Sequence, residues 1–129
     1  MARLWTILGV ADVARSTLWY QRLLCVPERS PGHSYFGQVV DTDGTVLLCL
    51  HSWGEHDHPP LRDPKWAVPG NGVLLFFRVK ELADALKGAQ VLGASLSEEV
   101  HLNPATGTEE FALYDPDGYY VMVSAQTAA

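Results

Sequence analysis

Asp115-Pro116-Asp117-Gly118, followed by the segment 119–123 (YYVMV), is the stretch of sequence that decides the fold. Proline presets φ for a tight turn and glycine supplies a left-handed exit, while the β-branched and aromatic residues that follow favour a strand. A second copy occurs 74 residues earlier, where Asp41-Thr42-Asp43-Gly44 precedes the apolar segment 45–50. A turn and strand repeated in this way predict a duplicated module.

Each copy follows a strand-like segment and a helix-like segment. Residues 4–10 and 72–79 are apolar enough for buried strands, and Asp12 and Glu81 each begin a helical pattern. The helices are predicted to end near Leu24 and Leu92, the second at Gly93. Strands are predicted at 34–40, 45–50, 98–102, 108–114 and 119–124.

The 129 residues are enough for one compact domain made of two modules. We predict an α+β fold with a first βαβββ-type module over 1–51, a linker over 52–71 and a second βαβββ module over 72–129. The linker is rich in proline, glycine and polar residues, and its two tryptophans indicate that it packs onto the protein.

Composition excludes several function classes. The net charge is −6 and the nine basic residues are scattered, which disfavours nucleic-acid binding. No apolar run approaches the roughly 20 residues of a membrane span, and residues 4–10 are too short for a signal peptide, so we expect a cytoplasmic protein without membrane partners. Cys25 and Cys49 lack metal-type spacing and are interpreted as buried free thiols rather than a disulfide.

The doubled module resembles the vicinal oxygen chelate superfamily, which includes glyoxalase I, extradiol dioxygenases and bleomycin-resistance proteins. The resemblance rests on Val10-Ala11-Asp12, on Trp19-Tyr20 before Leu23-Leu24, on the strand 75–79, and on Asp115–Gly118 at the expected place. It implies two curved sheets that form an open half-barrel around a ligand cavity, and a homodimer.

Metal-dependent members of this superfamily resemble one another at four inward-pointing positions. A histidine commonly lies seven residues before the acid that opens each helix, and a carboxylate commonly lies four residues past the glycine of each turn. In this sequence those positions hold Trp5, Leu74, Leu48 and Met122. None is a normal ligand for a hard divalent ion, so the resemblance implies no metal and no cofactor at this site. If each of these four positions is shifted by one residue in either direction, Cys49 is the only potential metal ligand that appears, and one thiolate would not suffice to hold a metal.

Strand alternation predicts an apolar cavity face that would take a small hydrophobic or aromatic molecule. This character is similar to the antibiotic-sequestering branch, which binds a drug without chemistry. Leu8, Phe77 and Val79 are predicted to face the helices. The residues predicted to contact the ligand are Trp5, Ile7, Phe36, Gln38, Leu48, Leu50, Leu74, Phe76, Arg78, His101, Tyr120 and Met122.

Two alternatives to a binding protein stay open at this stage. In one, these side chains simply fill the barrel and the chain is a structural or regulatory module. In the other, the protein is a lyase, isomerase or dioxygenase whose displaced site is built around His101, Glu110 and Arg78, with Ser124 as a further polar group. The structural interpretation of His101 is a hydrogen bond to the turn 103–107, and that of Arg78 is an internal ion pair with Glu110.

One further cluster carries potential metal ligands. His51 precedes Glu55-His56-Asp57-His58 in the linker. Because nothing in the sequence positions a second shell around these side chains, we interpret the segment as a solvated loop rather than a metal site.

Overall fold

The computed structural model describes residues 2–56 and 58–126 of the chain. Its elements are β1 (Ile7–Val10), α1 (Val13–Leu24), β2 (Phe36–Val40), β3 (Val46–Ser52), β4 (Leu74–Val79), α2 (Leu82–Val91), β5 (Leu96–Asn103), β6 (Thr108–Tyr114) and β7 (Tyr120–Ala125). Short 3₁₀ helices lie at Pro59–Leu61 and Pro64–Trp66. Within the described residues, no helix is both long and apolar enough to cross a membrane.

The chain divides into two compact units. The first contains residues 2–22 and 26–69, and the second contains residues 23–25 and 70–126. Most of the predicted linker, residues 52–69, therefore belongs to the first unit, where it carries both 3₁₀ helices.

Each unit has one open sheet, and the two sheets repeat the same strand order. The first sheet has the order β1-β3-β2, with β1 parallel and β2 antiparallel to β3. The second has the order β4-β7-β6-β5, in which β4-β7-β6 repeats the first sheet. The predicted α+β fold and duplication are confirmed, and among the described residues neither sheet closes into a barrel.

The first module has three described strands rather than the four of a βαβββ module. No strand forms between α1 and β2, where the second module has β5. Pro27 and Pro31 lack the N–H group that a sheet ladder needs, and Gly32 adds backbone freedom, so this segment stays irregular. The sequence pattern likewise indicated only two strands after the first helix, at 34–40 and 45–50, so the shorter first module agrees with that prediction.

The two turn copies have the same backbone hydrogen bonds. The amide of Gly44 donates to the Asp41 carbonyl at 2.9 Å, and that of Gly118 donates to the Asp115 carbonyl at 3.1 Å. Both glycines are left-handed, with φ of 89° and 90°. In the second copy the Asp115 carboxylate also accepts from the amide of Tyr119 at 2.8 Å. The repeated sequence therefore encodes a repeated turn geometry.

Helix boundaries also follow the sequence. The Asp12 carboxylate accepts a hydrogen bond from the Arg15 amide at 3.0 Å and so caps α1. Helix α2 stops at Gly93, which has φ of 67°, as predicted. Helix α1 ends in the same left-handed way, but Cys25 (φ 57°) occupies the position instead of glycine. The prediction that both thiols are buried holds for Cys49 and was wrong for Cys25, which lies past the end of the helix and is exposed.

Candidate functional site

One face of the first sheet is covered by α1. Leu8 lies beside Leu50, and Gly37 lies beside Leu50 on its other side. A Cβ atom on Gly37 would lie only 2.5 Å from the Thr17 hydroxyl of α1, so this face is the helix side. Leu48, two residues before Leu50, has the same orientation.

The prediction that Leu48 and Leu50 lie on the open cavity face was therefore wrong. Both side chains are fully buried, in the same layer as Leu8. The physical reason is a β-bulge. Val39 pairs with Leu48 whereas Val40 pairs with Val46, so β3 contains one extra residue and its alternation shifts.

The opposite face carries two rows of side chains. Ile7, Cys49 and Gln38 form one row, and Gly9, His51 and Phe36 form the next. Ile7, Phe36 and Gln38 thus share a face, as the sequence predicted, while Trp5 precedes β1 and is half exposed. The Trp53 ring covers Gly9 so closely that a Cβ atom there would lie 2.7 Å from it.

Cys49 holds the position in the first sheet that Met122 holds in the second. Ile7 and Phe76 each lie five residues before the acid that opens the next helix, and their strand partners are Cys49 and Met122. Burial raises the pKa of the Cys49 thiol, although a weak contact from the Gln38 amide lowers it in part. This thiol is therefore protonated near neutral pH in the metal-free protein.

The second sheet presents an apolar face that the structure leaves partly open. Leu74, Tyr120 and Tyr114 form one row across three strands, and Phe76 and Met122 belong to the next. Leu74 is 53% exposed and Phe76 is 40% exposed. The predicted placement of Leu74, Phe76, Tyr120 and Met122 on one face is confirmed, whereas contact with a ligand stays a prediction.

The Tyr120 phenol donates a hydrogen bond to the Glu98 carboxylate at 2.9 Å. A hydrogen bond with Ser97 lowers the pKa of Tyr120, but burial and the neighbouring Glu98 carboxylate outweigh it and raise that pKa overall. Tyr120 is therefore a neutral phenol at the rim of the apolar face.

The four polar residues proposed from the sequence lie in a single row across the second sheet. Arg78 pairs with Ser124, Ser124 pairs with Glu110, and Glu110 pairs with His101. The His101 Nε2 atom lies 3.6 Å from a Glu110 carboxylate oxygen, and Glu110 is almost fully buried.

Glu110 and Arg78 do not form the ion pair that the sequence suggested as a structural interpretation. The Glu110 carboxylate accepts from the Asn103 amide at 3.0 Å, and the Arg78 guanidinium donates to the carbonyls of Ala125 and Gln126. The hydrogen bond expected between His101 and the following turn is replaced by a contact of 2.8 Å between its Nδ1 and the Glu99 carbonyl.

Two linker histidines and one histidine of β3 come together in the first unit. His51, His56 and His58 each offer a ring nitrogen, and these atoms lie within 4.8 Å of one another. Asp57, which the sequence placed in the same cluster, lies outside the described residues. The density of histidines is the one signal in the sequence that could have indicated this convergence.

An open groove of about 560 Å³ adjoins the start of α1 and was not predicted. It is lined by Ala11–Ala14, by Ser30–Ser34 and by Ser52.

Comparison with known proteins places this geometry in a family. The profile of the Glyoxalase/Bleomycin resistance protein/Dioxygenase superfamily matches residues 3–123. No curated protein matches the sequence.

Solved structures resemble the chain over nearly its whole length. A glyoxalase/bleomycin resistance protein from Catenulispora acidiphila has 18% identity and a TM-score of 0.65, with 97% of this chain and 98% of that one covered. A glyoxalase/bleomycin resistance protein/dioxygenase family enzyme from Burkholderia phytofirmans has 17% identity and a TM-score of 0.68, with 94% and 95% covered. An Agrobacterium tumefaciens protein solved by NMR has 27% identity and a TM-score of 0.66, with 97% and 98% covered.

Proposed function

Because this chain belongs to the Glyoxalase/Bleomycin resistance protein/Dioxygenase superfamily, we propose that it binds a hydrophobic or aromatic small molecule, such as an antibiotic, without chemistry. In this proposal no metal occupies the four positions that carry ligands in the metal-dependent members. The observation that carries it is the partly open apolar face of the second sheet, around Leu74 and Phe76.

Exposed apolar side chains on a sheet face favour a ligand surface over a filled core. Phe76 and Leu74 keep about half of their surface in water, although equally large side chains on the other face of the same sheet, such as Phe111, are fully buried. Contiguous exposed apolar surface is costly to maintain and commonly marks a binding site. Aromatic residues with few polar neighbours suit a planar ligand.

The residues at the four superfamily positions argue against metal chemistry there. Trp5 and Leu74 lack any metal-binding atom, and the thioether of Met122 is too soft for a hard divalent ion. With the bulge taken into account, the fourth position is Cys49 instead of Leu48, and one thiolate without a second ligand would not suffice to hold a metal.

The proposal includes a cytoplasmic homodimer. Both cysteines are free, which is typical of a reducing compartment. The sheets have edge strands β1 and β2 in the first unit and β4 and β5 in the second, and pairing of two chains would cover such edges. Sedimentation velocity of the full chain measures this directly, and a single monomeric species at micromolar concentration would remove the dimer from the proposal.

The binding test is a melting-temperature screen of chelator-treated protein against planar aromatic antibiotics. A ligand at 100 times its dissociation constant adds about 2.7 kcal/mol of stability, which is a rise of several degrees. Leu74→Asp, on the open face, should abolish the rise, whereas Val91→Asp, on the exposed surface of α2, should keep it. Mass spectrometry should recover the compound unchanged. No rise with any compound, or a rise that Leu74→Asp retains, would contradict the proposal.

A second candidate function is an enzyme of the same superfamily with a displaced site. It is favoured by the row of polar side chains that places the His101 imidazole beside the buried Glu110 carboxylate, since both groups are capable of general acid–base work. The test is turnover of a thiol–aldehyde adduct or a catechol. Loss of product with His101→Ala would support catalysis, and unchanged turnover in that variant would remove His101 from any catalytic role.

A further inference from the structure

Three histidine rings form a triangle at the end of β3. The ring centroids of His51 and His56 lie 5.6 Å apart, those of His51 and His58 lie 5.3 Å apart, and those of His56 and His58 lie 6.0 Å apart. His51 lies on the strand and is buried, whereas the other two lie on the exposed segment that follows. The triangle is separate from the four superfamily positions.

The segment that carries His56 and His58 folds back over the strand. The Gly54 amide donates to the Leu61 carbonyl at 2.7 Å, and the Leu61 amide donates to the His58 carbonyl at 2.8 Å. These two hydrogen bonds close the loop and hold its histidines near His51. The loop is therefore constrained by hydrogen bonds, while His56 and His58 stay exposed to solvent.

His56 adopts a backbone conformation that favours glycine. Its φ is 60°, which costs a non-glycine residue about 1–2 kcal/mol. The ring of Tyr35 packs edge-on against the His56 ring, with centroids 4.8 Å apart. A strained backbone that directs an imidazole toward two others is a feature often found at ligand sites.

His51 has one ring nitrogen fixed by the backbone. Its Nδ1 atom lies 2.8 Å from the Ser52 carbonyl oxygen. A carbonyl oxygen only accepts hydrogen bonds, so Nδ1 carries the proton and Nε2 keeps a free lone pair. Histidine ligands in metalloproteins almost always have such a hydrogen bond on the other nitrogen, which fixes the ring orientation.

We propose that His51, His56 and His58 bind one divalent ion of the zinc class. Three neutral imidazoles suit zinc, copper or nickel, whereas magnesium and calcium prefer oxygen ligands. Tetrahedral coordination with bonds of about 2.0–2.1 Å requires ligand nitrogens about 3.4 Å apart, so the side chains must close by roughly 1.5 Å. His56 and His58 are exposed and have room for this movement. A fourth position stays open to water or to a small ligand.

The test titrates chelator-stripped full-length protein with zinc in competition with a fluorescent zinc indicator. We expect one ion per chain. His56→Ala and His58→Ala should each weaken zinc binding by more than the roughly 10–100-fold that loss of a supporting hydrogen bond costs. Both residues are exposed, so these variants should keep the far-ultraviolet circular dichroism of the parent protein.

The remaining two histidines provide matched controls. His33→Ala removes a ring that stacks on Tyr35 but does not join the triangle, and His101→Ala removes a histidine of the other unit. Both should leave zinc affinity unchanged. Cobalt in place of zinc should give the strong visible absorption of a tetrahedral complex, which His58→Ala should abolish. Equal losses in all four variants, or binding that none of them alters, would overturn the proposal.

Discussion

Two phenylalanines on strands β4 and β6 of the second unit provide a direct test of whether its open sheet face is a ligand surface or part of the core. Phe76 is 40% exposed on the open face, whereas Phe111 is completely buried on the opposite face. Truncation of each to alanine removes the same atoms. Any difference in the free energy of unfolding therefore reports the environment of the side chain.

The structure predicts very different costs for the two truncations. Phe111→Ala removes a buried ring and leaves a cavity, which costs about 3–5 kcal/mol. Phe76→Ala removes a ring that is 40% exposed in the folded protein, and its removal leaves no enclosed cavity. Full burial of phenylalanine contributes up to about 3 kcal/mol, and alanine retains part of the remaining area, so we expect a loss of about 1 kcal/mol.

Urea denaturation at two protein concentrations measures both losses. With an m value of about 2 kcal/mol per molar, the midpoint should fall by roughly 0.5 M for Phe76→Ala and by about 2 M for Phe111→Ala. Ligand binding should show the opposite order, with only Phe76→Ala reducing the rise in melting temperature caused by a bound aromatic compound. Equal midpoint shifts for the two variants would show that the open face is covered in solution, and the ligand-surface argument would fail.

Three further predictions concern the turns and the thiols. Gly44→Ala and Gly118→Ala should each lower the free energy of unfolding by about 1–2 kcal/mol, because both glycines have a left-handed backbone. Gly32→Ala is the control and should be nearly neutral, because the added Cβ meets no neighbouring atom. Comparable melting temperatures for all three variants would refute the turn assignment. Hydrogen bonds from the backbone amide and then the side chain of Thr45 lower the pKa of Asp43 in the folded protein. The stability that these bonds provide is therefore present above the pKa of Asp43 in the unfolded chain, and it is lost as the pH falls through the pKa in the folded protein. Urea titrations between about pH 6 and 3 should therefore show a shallower loss of stability for Asp43→Asn than for the parent, and identical slopes would contradict this linkage. Partial desolvation, and then the nearby Asp84 charge, raise the pKa of Cys25, so this largely exposed thiol should react only slowly with iodoacetamide. The buried Cys49 should react only after unfolding, and peptide mapping that finds Cys49 modified in the native protein would contradict its burial.

Local signals were sufficient to predict most of the fold. The duplicated turn, the capping aspartate Asp12 and the helix stop at Gly93 each act within a few residues of their position, and the structure confirms all three. Strand alternation likewise placed Phe76 and Met122 correctly, because β4 and β7 pair without a register shift.

Features that depend on contacts between distant residues could not be predicted from the sequence. The β-bulge near Leu47 depends on how β2 and β3 pair, and it alone turned Leu48 and Leu50 away from the predicted cavity. The histidine triangle depends on a hydrogen bond between Gly54 and Leu61 that closes the loop. Neither the pairing register nor the loop closure leaves a periodic signal in the sequence.

The bulge also changes which residue must be considered at the first-module ligand position. Without the bulge, the position would hold Leu48, whose side chain has no donor atom and so could not bind a metal. With it, the position holds Cys49, whose thiol could become a ligand if it lost its proton. His51 lies two residues further along the same face of β3, so a metal found in the purified protein has two candidate locations within one strand. Cys49→Ser and His58→Ala separate them. The buried, protonated thiol predicts that zinc affinity survives the serine substitution and is lost in the alanine variant.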